Sequence, residues 1–228
     1  MKHSNKCCIL FFVKYPVLRG VKTRLAEHVG HDVATDLYKS FVADILTTLH
    51  TLSVNFRIVF YPPDAGDQFQ QWLGEKYSYA PQIGQDLGQR MKNAFLQAFS
   101  DGFNSVVIIG SDSPDLPADY LDLGFTALDT NDVVVGPSSD GGYYLIGFAR
   151  EAFLPDAFEG ITWSSTNVFE RTLNILKQHK QRVYLLPQWH DVDSVSDLNK
   201  LLERNRNTIF GLSSTISVIR KIEGQMTS

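Results

Sequence analysis

The feature that most limits how this chain can fold is an alternation of short runs rich in β-branched and aromatic residues with longer segments of helical period. The runs 7–13 and 55–61 have the composition of strands, and the segment 32–51 between them places apolar residues at i, i+4 steps. Strands that alternate with helices form βα units around a mostly parallel sheet. We therefore expect an α/β fold, a three-layer α/β/α sandwich with a mostly parallel sheet.

The rest of the chain continues this alternation. Further strands are predicted at 77–81, 105–109, 132–135, 143–148 and 182–186, and further helices at 68–73, 86–100, 118–128, 165–179 and from 194 onward. The run 105–109 is continuously apolar, which is typical of a strand at the centre of a sheet. Because the turn-forming residues 138–142 separate two of the strands, we expect a hairpin within the parallel pattern.

Length and composition indicate one domain followed by a tail. The chain has 228 residues, 43% of them hydrophobic, which is enough for a single core. We expect that core in 1–204, and a tail at 205–228 whose amphipathic helix docks, forms a homodimer or frays. The net charge is −4 and no basic run is long, so we expect no nucleic-acid polymer as a partner.

The cysteines and the first apolar run indicate a cytoplasmic protein that makes no membrane contact. Cys7 and Cys8 are neighbours whose side chains would point to opposite faces of a strand, so a structural disulfide is not expected. The run 7–13 is too short to span a bilayer, and no small-residue cleavage site follows it before Lys14. A first core strand explains this run better than a signal peptide does.

A basic loop follows the first predicted strand, at the end of the sheet where open α/β folds bind ligands. It runs from Lys14 to Arg24 and contains four cations and Gly20. Lys22 supplies a point charge, Arg24 can pair with two oxygens, and Gly20 lets the backbone approach closely. We interpret the loop as a polyphosphate-binding segment. A solvated basic turn is the alternative, because the loop has no P-loop or dinucleotide-binding glycine pattern.

A second polar cluster, at 110–115, follows the apolar strand 105–109. The strand delivers Asp112, and a proline then turns the chain away. A carboxylate in this place suits Mg²⁺ or Mn²⁺, which would bridge phosphate oxygens and offset charge that develops in phosphoryl or glycosyl transfer. The alternative is that Asp112 caps the following segment, although Asp115 fits that capping role better.

A third cluster consists of Asp140, Gly141, Gly142 and Tyr143. Two glycines before aromatic residues indicate a backbone that is open to a substrate beside a stacking wall. A hairpin turn with a core tyrosine explains the same residues, so both interpretations stay open.

A fourth cluster places Asp191 and Asp193 after the last predicted strand. Asp193 is the expected second ligand of the metal at Asp112. The D-x-D-x-V spacing also matches the nucleophile motif of haloacid-dehalogenase-type phosphatases, in which a large α/β domain follows the motif. Because only a helix and the tail follow it in this chain, we favour the metal-ligand interpretation.

Two predicted helix starts carry further candidate substrate contacts. Gly84, Gly88 and Arg90 flank the start of one helix, and Trp163 and Ser164 precede another. Helix N-termini attract anions through their free N–H groups and the helix dipole. Simple capping is the alternative, and Arg90, next to a core-facing methionine, would then face solvent.

Read in order, six segments of the chain resemble one protein family. They are VKTRLA at 21–26, DLGQRM at 86–91, IGSDSPDLP at 109–117, GPSSDGGYYLIG at 136–147, ITWSST at 161–166 and DVDSVSDL at 191–198. Over residues 7–203 the chain is similar to the bacterial radical SAM/selenodomain-associated glycosyltransferase-like family. That family lies within the nucleotide-diphospho-sugar transferase (GT-A) superfamily, with phospholactate and molybdenum-cofactor guanylyltransferases. Family members usually have glycine and then arginine before V-K-T-R, whereas this chain has Arg19 and then Gly20.

The resemblance implies a GT-A fold, phosphate binding by Lys22 and Arg24, and Mg²⁺ binding by Asp112 and Asp193. The first functional hypothesis is nucleotidyl transfer from a nucleoside triphosphate to an anionic small-molecule acceptor, with Lys22, Arg24 and Asp112 as catalytic residues. A glycosyltransferase that uses a nucleotide sugar is the alternative, because the same metal can stabilise a leaving diphosphate. A nucleotide-binding protein without turnover is a third hypothesis. No histidine, His190 included, has a compelling position for a general base.

Overall fold

The structure is a computed structural model that describes residues 6–163 and 165–226, with side chains through residue 221. In that part of the chain one sheet contains seven strands: β1 (Cys7–Lys14), β2 (Asn55–Tyr61), β3 (Tyr79–Pro81), β4 (Ser105–Ile109), β5 (Val133–Pro137), β6 (Tyr143–Ala149) and β7 (Val183–Leu185). The same residues contain eight α-helices: α1 (Thr23–Val29), α2 (His31–Thr51), α3 (Gly66–Leu73), α4 (Leu87–Ser100), α5 (Ala118–Leu128), α6 (Val168–Gln178), α7 (Val195–Arg204) and α8 (Ser214–Met226).

The order of the strands brings the ends of β1 and β4 together at the centre of the sheet. The order is β3-β2-β1-β4-β6-β5-β7, and β6 is antiparallel to both of its neighbours while the other pairs are parallel. In this register Phe11 of β1 lies opposite Ile58 of β2 and Ile109 of β4. The expected hairpin is therefore confirmed as β5 and β6, and it is the reason that the sheet is not wholly parallel.

Helices cover both faces of the sheet, and the alternation of side chains along β1 decides which core each residue joins. Ile9 and Phe11 pack with residues of α2 and α5, whereas Cys8 and Leu10 pack beneath α4. All four are at most 1% exposed. A strand buried on both faces is apolar at every position, which explains the continuous apolar run. The predicted three-layer α/β/α sandwich is confirmed.

Two helices differ from what the sequence pattern predicts. Helix α1 was not expected, because its seven residues are too few to show a period and no side chain caps its start after Lys22. Helix α6 begins at Val168 rather than at 165. The hydroxyl of Ser165 lies 2.6 Å from both the carbonyl of Thr162 and Asn167 Oδ1 and can donate to either, which holds the segment before α6 in a turn.

Asp115 does not cap a helix, so that sequence-based interpretation was wrong. Helix α5 starts after Pro117 without a side-chain cap. The carboxylate of Asp115 instead accepts hydrogen bonds from Arg204 at 2.6 and 2.8 Å and from Asn205 at 2.6 Å. Because its side chain is only 2% exposed, this carboxylate needs strong partners, and the end of α7 supplies them.

The tail docks on its own chain through α8. Asp44 of α2 accepts hydrogen bonds from the backbone N–H groups of Ser214 and Thr215 at 3.0 and 2.8 Å and so caps α8 from a neighbouring helix. Ile216 and Ile219 of α8 are buried in the same cluster as apolar residues of α2. Among the helices of the described residues, none is long and apolar enough to cross a membrane.

Candidate functional site

The basic loop between β1 and α1 has a backbone shape fixed by its own hydrogen bonds. The ammonium of Lys14 donates to the carbonyl of Gly20 at 2.9 Å, and the N–H of Gly20 donates to the carbonyl of Val17 at 2.8 Å. Arg19 and Lys22 adopt left-handed φ values of 65° and 47°. Such values are costly for residues with a side chain and are found where function or packing imposes them.

Lys22 points inward from this loop and bridges two carboxylates. Its Nζ lies 2.5 Å from Asp112 Oδ1 and 2.8 Å from Asp193 Oδ1. Its side chain is 2% exposed, whereas those of Asp112 and Asp193 are 50% and 39% exposed. Burial lowers the pKa of Lys22, but the two carboxylates outweigh that effect and hold this pKa above its ordinary value. Lys22 is therefore a buried, charged cation.

Asp112 lies just beyond the carboxyl end of β4 and is held by its neighbours. The hydroxyl of Ser111 lies 3.0 Å from that of Tyr38, which also accepts a hydrogen bond from the backbone N–H of Lys14 at 2.9 Å. The carbonyl of Asp112 accepts from the N–H of Val192 at 2.9 Å. This last bond attaches the segment after β7 to the end of β4 and brings its two carboxylates to the site.

The aspartates at 191 and 193 have different partners. Val192 between them is fully buried, and Asp193 contacts Lys22. Asp191 accepts hydrogen bonds from Ser113 at 2.6 Å and from Ser138 at 2.5 Å. Burial, and after it the charge of Asp112, raises the pKa of Asp191 to about 6. The sequence pattern gave Asp191 no role of its own, although its spacing from Asp193 was the available signal.

A cleft of about 610 Å³ opens beside Asp112 at the carboxyl ends of β1 and β4. Of the residues proposed from the sequence, it is lined by Lys14, Arg90, Asp112, Asp140, Gly142, Tyr143 and Trp163. Asp191 lines it as well. The guanidinium of Arg90 lies 4.5 Å from the ring centroid of Tyr61, so the half-buried Arg90 stacks on a cleft wall.

Three glycines proposed as substrate contacts shape the walls of this cleft and are absent from its lining. At Gly88 a Cβ atom would lie 2.6 Å from the ring of Trp163, so the missing side chain lets the indole pack onto α4. Gly84 has a φ of 146° and Gly141 a φ of 92°, and a Cβ atom on Gly141 would overlap the carbonyl of Thr166. The remaining candidate, Ser164, lies outside the described residues.

A smaller cleft of about 310 Å³ lies on the other side of Asp112. The basic loop forms most of its wall, with Lys14, Lys22 and Arg24 among its lining residues. Asp193 lines this cleft and Asp112 lines both, so the two clefts meet at Asp112. A ligand with a polyphosphate and an uncharged portion can place the phosphates in the cationic cleft and the remainder in the larger one.

The carboxylates suit a magnesium ion that has few protein ligands. In the described part of the chain no group of three or more His, Cys, Asp and Glu residues is placed to hold a metal. Mg²⁺ is usually bound by one or two carboxylates together with substrate phosphates and waters. Asp112 and Asp193 already hold the cationic ammonium of Lys22 between their oxygens. The donor set thus fits a hard cation that completes its coordination with substrate oxygens.

Comparison with known proteins finds one family match and several solved structures of similar fold. The family model described as "Uncharacterized protein conserved in bacteria (DUF2064)" matches residues 45–165. A crystal structure of a "putative nucleotide-diphospho-sugar transferase" from Desulfovibrio desulfuricans G20 has 44% sequence identity, covers 97% of this chain and 96% of that chain, and has a TM-score of 0.93. No curated protein matches the sequence.

Two more distant structures share the fold. A nucleotidyl transferase from Methanothermobacter is 13% identical, with 90% of this chain and 100% of that chain covered and a TM-score of 0.60. A cytidylyltransferase from Leptospira borgpetersenii is 15% identical, with 97% and 95% covered and a TM-score of 0.54. At these identities the likeness concerns the fold, because the same fold supports many reactions.

Proposed function

The chain belongs to the DUF2064 family, and from that premise we propose that it is a Mg²⁺-dependent transferase that acts on a nucleotide. The first candidate reaction is nucleotidyl transfer from a nucleoside triphosphate to a small anionic acceptor. The observation that carries this proposal is the meeting of two clefts at Asp112, one of them lined by cations and the other large enough for a nucleoside with an acceptor. The 44% identical relative, named a putative nucleotide-diphospho-sugar transferase, supports the same class of protein.

The residues of the cationic cleft bind and orient the phosphates. Lys14 and Arg24 lie on the wall where β- and γ-phosphates would be held, and Arg24 can pair with two phosphate oxygens at once. Mg²⁺ bound by Asp112 and Asp193 would neutralise charge on the phosphate oxygens as it develops. Holding the reactants in this alignment accounts for much of the expected acceleration.

The reaction itself is an in-line displacement at the α-phosphorus. An oxygen of the acceptor forms a bond to this phosphorus while the bond to the bridging oxygen of the β-phosphate breaks, and pyrophosphate leaves with the electron pair. Arg90, stacked on Tyr61 in the larger cleft, would form an ion pair with the acceptor or with the α-phosphate.

Glycosyl transfer from a nucleotide sugar is a second candidate. The relative from Desulfovibrio desulfuricans carries the name of a nucleotide-diphospho-sugar transferase, and the larger cleft has a wall that suits a sugar. Trp163 offers an aromatic ring, and the carboxylate of Asp140 lies on the same cleft to accept hydrogen bonds from hydroxyl groups. In this reaction a nucleoside diphosphate leaves.

The two candidates are separated by their ligands and their products. Thermal shifts are measured with the common nucleoside triphosphates and nucleotide sugars, with and without Mg²⁺, because a ligand stabilises the folded state that binds it. The best donor is then incubated with a mixture of small phosphorylated and carboxylated acceptors. Release of pyrophosphate supports nucleotidyl transfer, and release of a nucleoside diphosphate supports glycosyl transfer.

Asp112→Asn tests the role of the site, with Asp36→Asn on the exposed face of α2 as its matched control. We expect Asp112→Asn to lose the Mg²⁺-dependent part of donor binding and Asp36→Asn to retain it. Tight nucleotide binding that is independent of Mg²⁺ and gives no product with any donor would instead favour a non-catalytic nucleotide-binding protein.

A further inference from the structure

We infer that the ammonium of Lys22 occupies the metal position when no metal is bound. A divalent ion and this ammonium therefore compete for Asp112 and Asp193. This inference rests on the proposed function, because it assigns the metal to the same two carboxylates. It adds a step that the proposed function lacks, in which Lys22 leaves the carboxylates and moves to the polyphosphate as the metal binds.

The ammonium of Lys22 already occupies one oxygen of each carboxylate. Its Nζ is within 2.8 Å of the Oδ1 atoms of both Asp112 and Asp193, at the distances of charge-assisted hydrogen bonds. The ammonium is buried, whereas both carboxylates are well exposed. A metal that approaches from the clefts therefore reaches the carboxylates from outside and competes with the ammonium for the Oδ1 atoms of both.

The position of Lys22 just before α1 allows its side chain to move away from the two carboxylates without a change in that helix. Its carbonyl accepts a hydrogen bond from the N–H of Ala26 at 2.9 Å, which anchors the backbone to α1. Its Nζ lies over the ring of Phe41 at 5.4 Å from the centroid, a contact that a side-chain rotation can break. The left-handed φ of 47° at this residue is a strained conformation of the kind found at functional sites.

The destination of the displaced ammonium is the smaller cleft. Lys22 already lines it together with Lys14 and Arg24, so a rotated side chain would place a third cation beside a bound polyphosphate. A buried ammonium that loses both carboxylates is unfavourable unless another anion replaces them. Polyphosphate supplies that anion, so metal and polyphosphate favour one another's binding, and by linkage the effect is reciprocal.

The experiment measures Mn²⁺ binding without nucleotide, by electron paramagnetic resonance of the free ion, in the wild-type chain, Lys22→Met and Arg24→Met. Lys22→Met removes the competing ammonium and keeps a chain of similar volume. Arg24→Met is the matched control, because it removes a cation from the same cleft that does not bridge the carboxylates. We expect Lys22→Met to bind Mn²⁺ at least about tenfold more tightly than wild type, and Arg24→Met less than about threefold more tightly.

A second measurement uses the wild-type chain, in case Lys22→Met does not fold. Side-chain ¹⁵N spectra of the lysine ammonium groups are recorded while Mg²⁺ is added, and we expect the signal of Lys22, assigned with Lys22→Arg, to shift or vanish while that of exposed Lys39 does not. Equal Mn²⁺ affinity in wild type, Lys22→Met and Arg24→Met, or an unmoved Lys22 signal at saturating Mg²⁺, overturns the inference alone. Absence of Mn²⁺ binding from both wild type and Lys22→Met overturns the inference and the metal role in the proposed function together.

Discussion

The carboxylate of Asp115 accepts two hydrogen bonds from the guanidinium of Arg204, to Oδ2 at 2.6 Å and to Oδ1 at 2.8 Å. Asp115 follows the central strand and Arg204 ends α7, so the pair connects the two segments that carry Asp112 and Asp193. We therefore expect the alignment of the candidate metal ligands to depend on this ion pair, which contacts neither of them.

We expect Asp115→Ala to destabilise the protein by about 3 kcal/mol, because removal of one partner of a buried ion pair leaves the other charge without compensation. It should also weaken Mn²⁺ binding, since the segment after β7 loses an attachment. Urea unfolding measures the first effect and titration with Mn²⁺ the second. The exposed variant Asp36→Asn is the control and should stay within about 0.5 kcal/mol of wild type. A stable Asp115→Ala protein would show that the pair has no structural role.

We expect Gly88→Ala to destabilise the protein by about 1–3 kcal/mol and to weaken donor binding, because overpacking forces neighbouring groups to move. Its Cβ atom would lie 2.5 Å from the carbonyl of Phe158 and 2.6 Å from the ring of Trp163, which lines the larger cleft. Gly124→Ala in α5 is the matched control, since its nearest neighbours are 3.8 Å away. Thermal unfolding with and without the best donor measures both effects. The prediction is wrong if the two alanine variants behave alike.

We expect Arg19→Gly to stabilise the folded chain by about 0.5–1 kcal/mol, because glycine relieves the left-handed strain at φ 65° and loses part of that gain to its greater freedom when unfolded. Lys180→Gly, at φ 56° after α6 and far along the chain from the basic loop, should stabilise it by a similar amount. Denaturant midpoints measure both. If Arg19→Gly weakens triphosphate binding while Lys180→Gly does not, the Arg19 side chain contributes to binding as well.

We expect the stabilising effect of Asp101 to depend on pH. Its hydrogen bond from Arg57, 2.7 Å long, lowers the pKa of this carboxyl in the folded state. A carboxyl whose pKa is lower in the folded state than its unfolded value of about 3.9 stabilises the protein when the pH is above that unfolded value. This stabilisation is lost as the pH falls through the folded pKa. Asp101→Asn should therefore be less stable than wild type at pH 7, and the difference should shrink in strongly acidic solution. Urea unfolding over this range checks the trend, and a constant difference would contradict it.

Much of the fold was predictable because it follows from local patterns. The apolar run 105–109 identified the central strand β4, and the turn residues 138–142 identified the hairpin of β5 and β6. Helix α1 escaped prediction because seven residues after a left-handed Lys22 show neither a period nor a capping side chain. The patterns that identify elements are sums over many residues, so a short helix without a cap gives them too little signal.

The sequence predicted which residues belong to the candidate site, but it predicted only part of how they contact one another. Polar residues at the ends of strands pointed to Asp112 and to the basic loop, and the structure brings Lys22, Asp112 and Asp193 into contact. Asp191 was passed over because the sequence shows only that two aspartates are one residue apart. Their partners, Ser113 and Ser138 for Asp191 and Lys22 for Asp193, come from distant segments of the chain, which no local pattern reveals.

The sequence by itself determined which segments are strands and helices and which end of the sheet carries the polar residues, because periodicity and strand direction are local properties of the chain. Only the tertiary structure decided that the Lys22 ammonium, 171 positions before Asp193, lies between Asp193 and Asp112. That contact depends on the left-handed backbone at Lys22 and on the bond from Val192 to the end of β4. Both are consequences of packing between distant segments, which local patterns in the sequence do not determine.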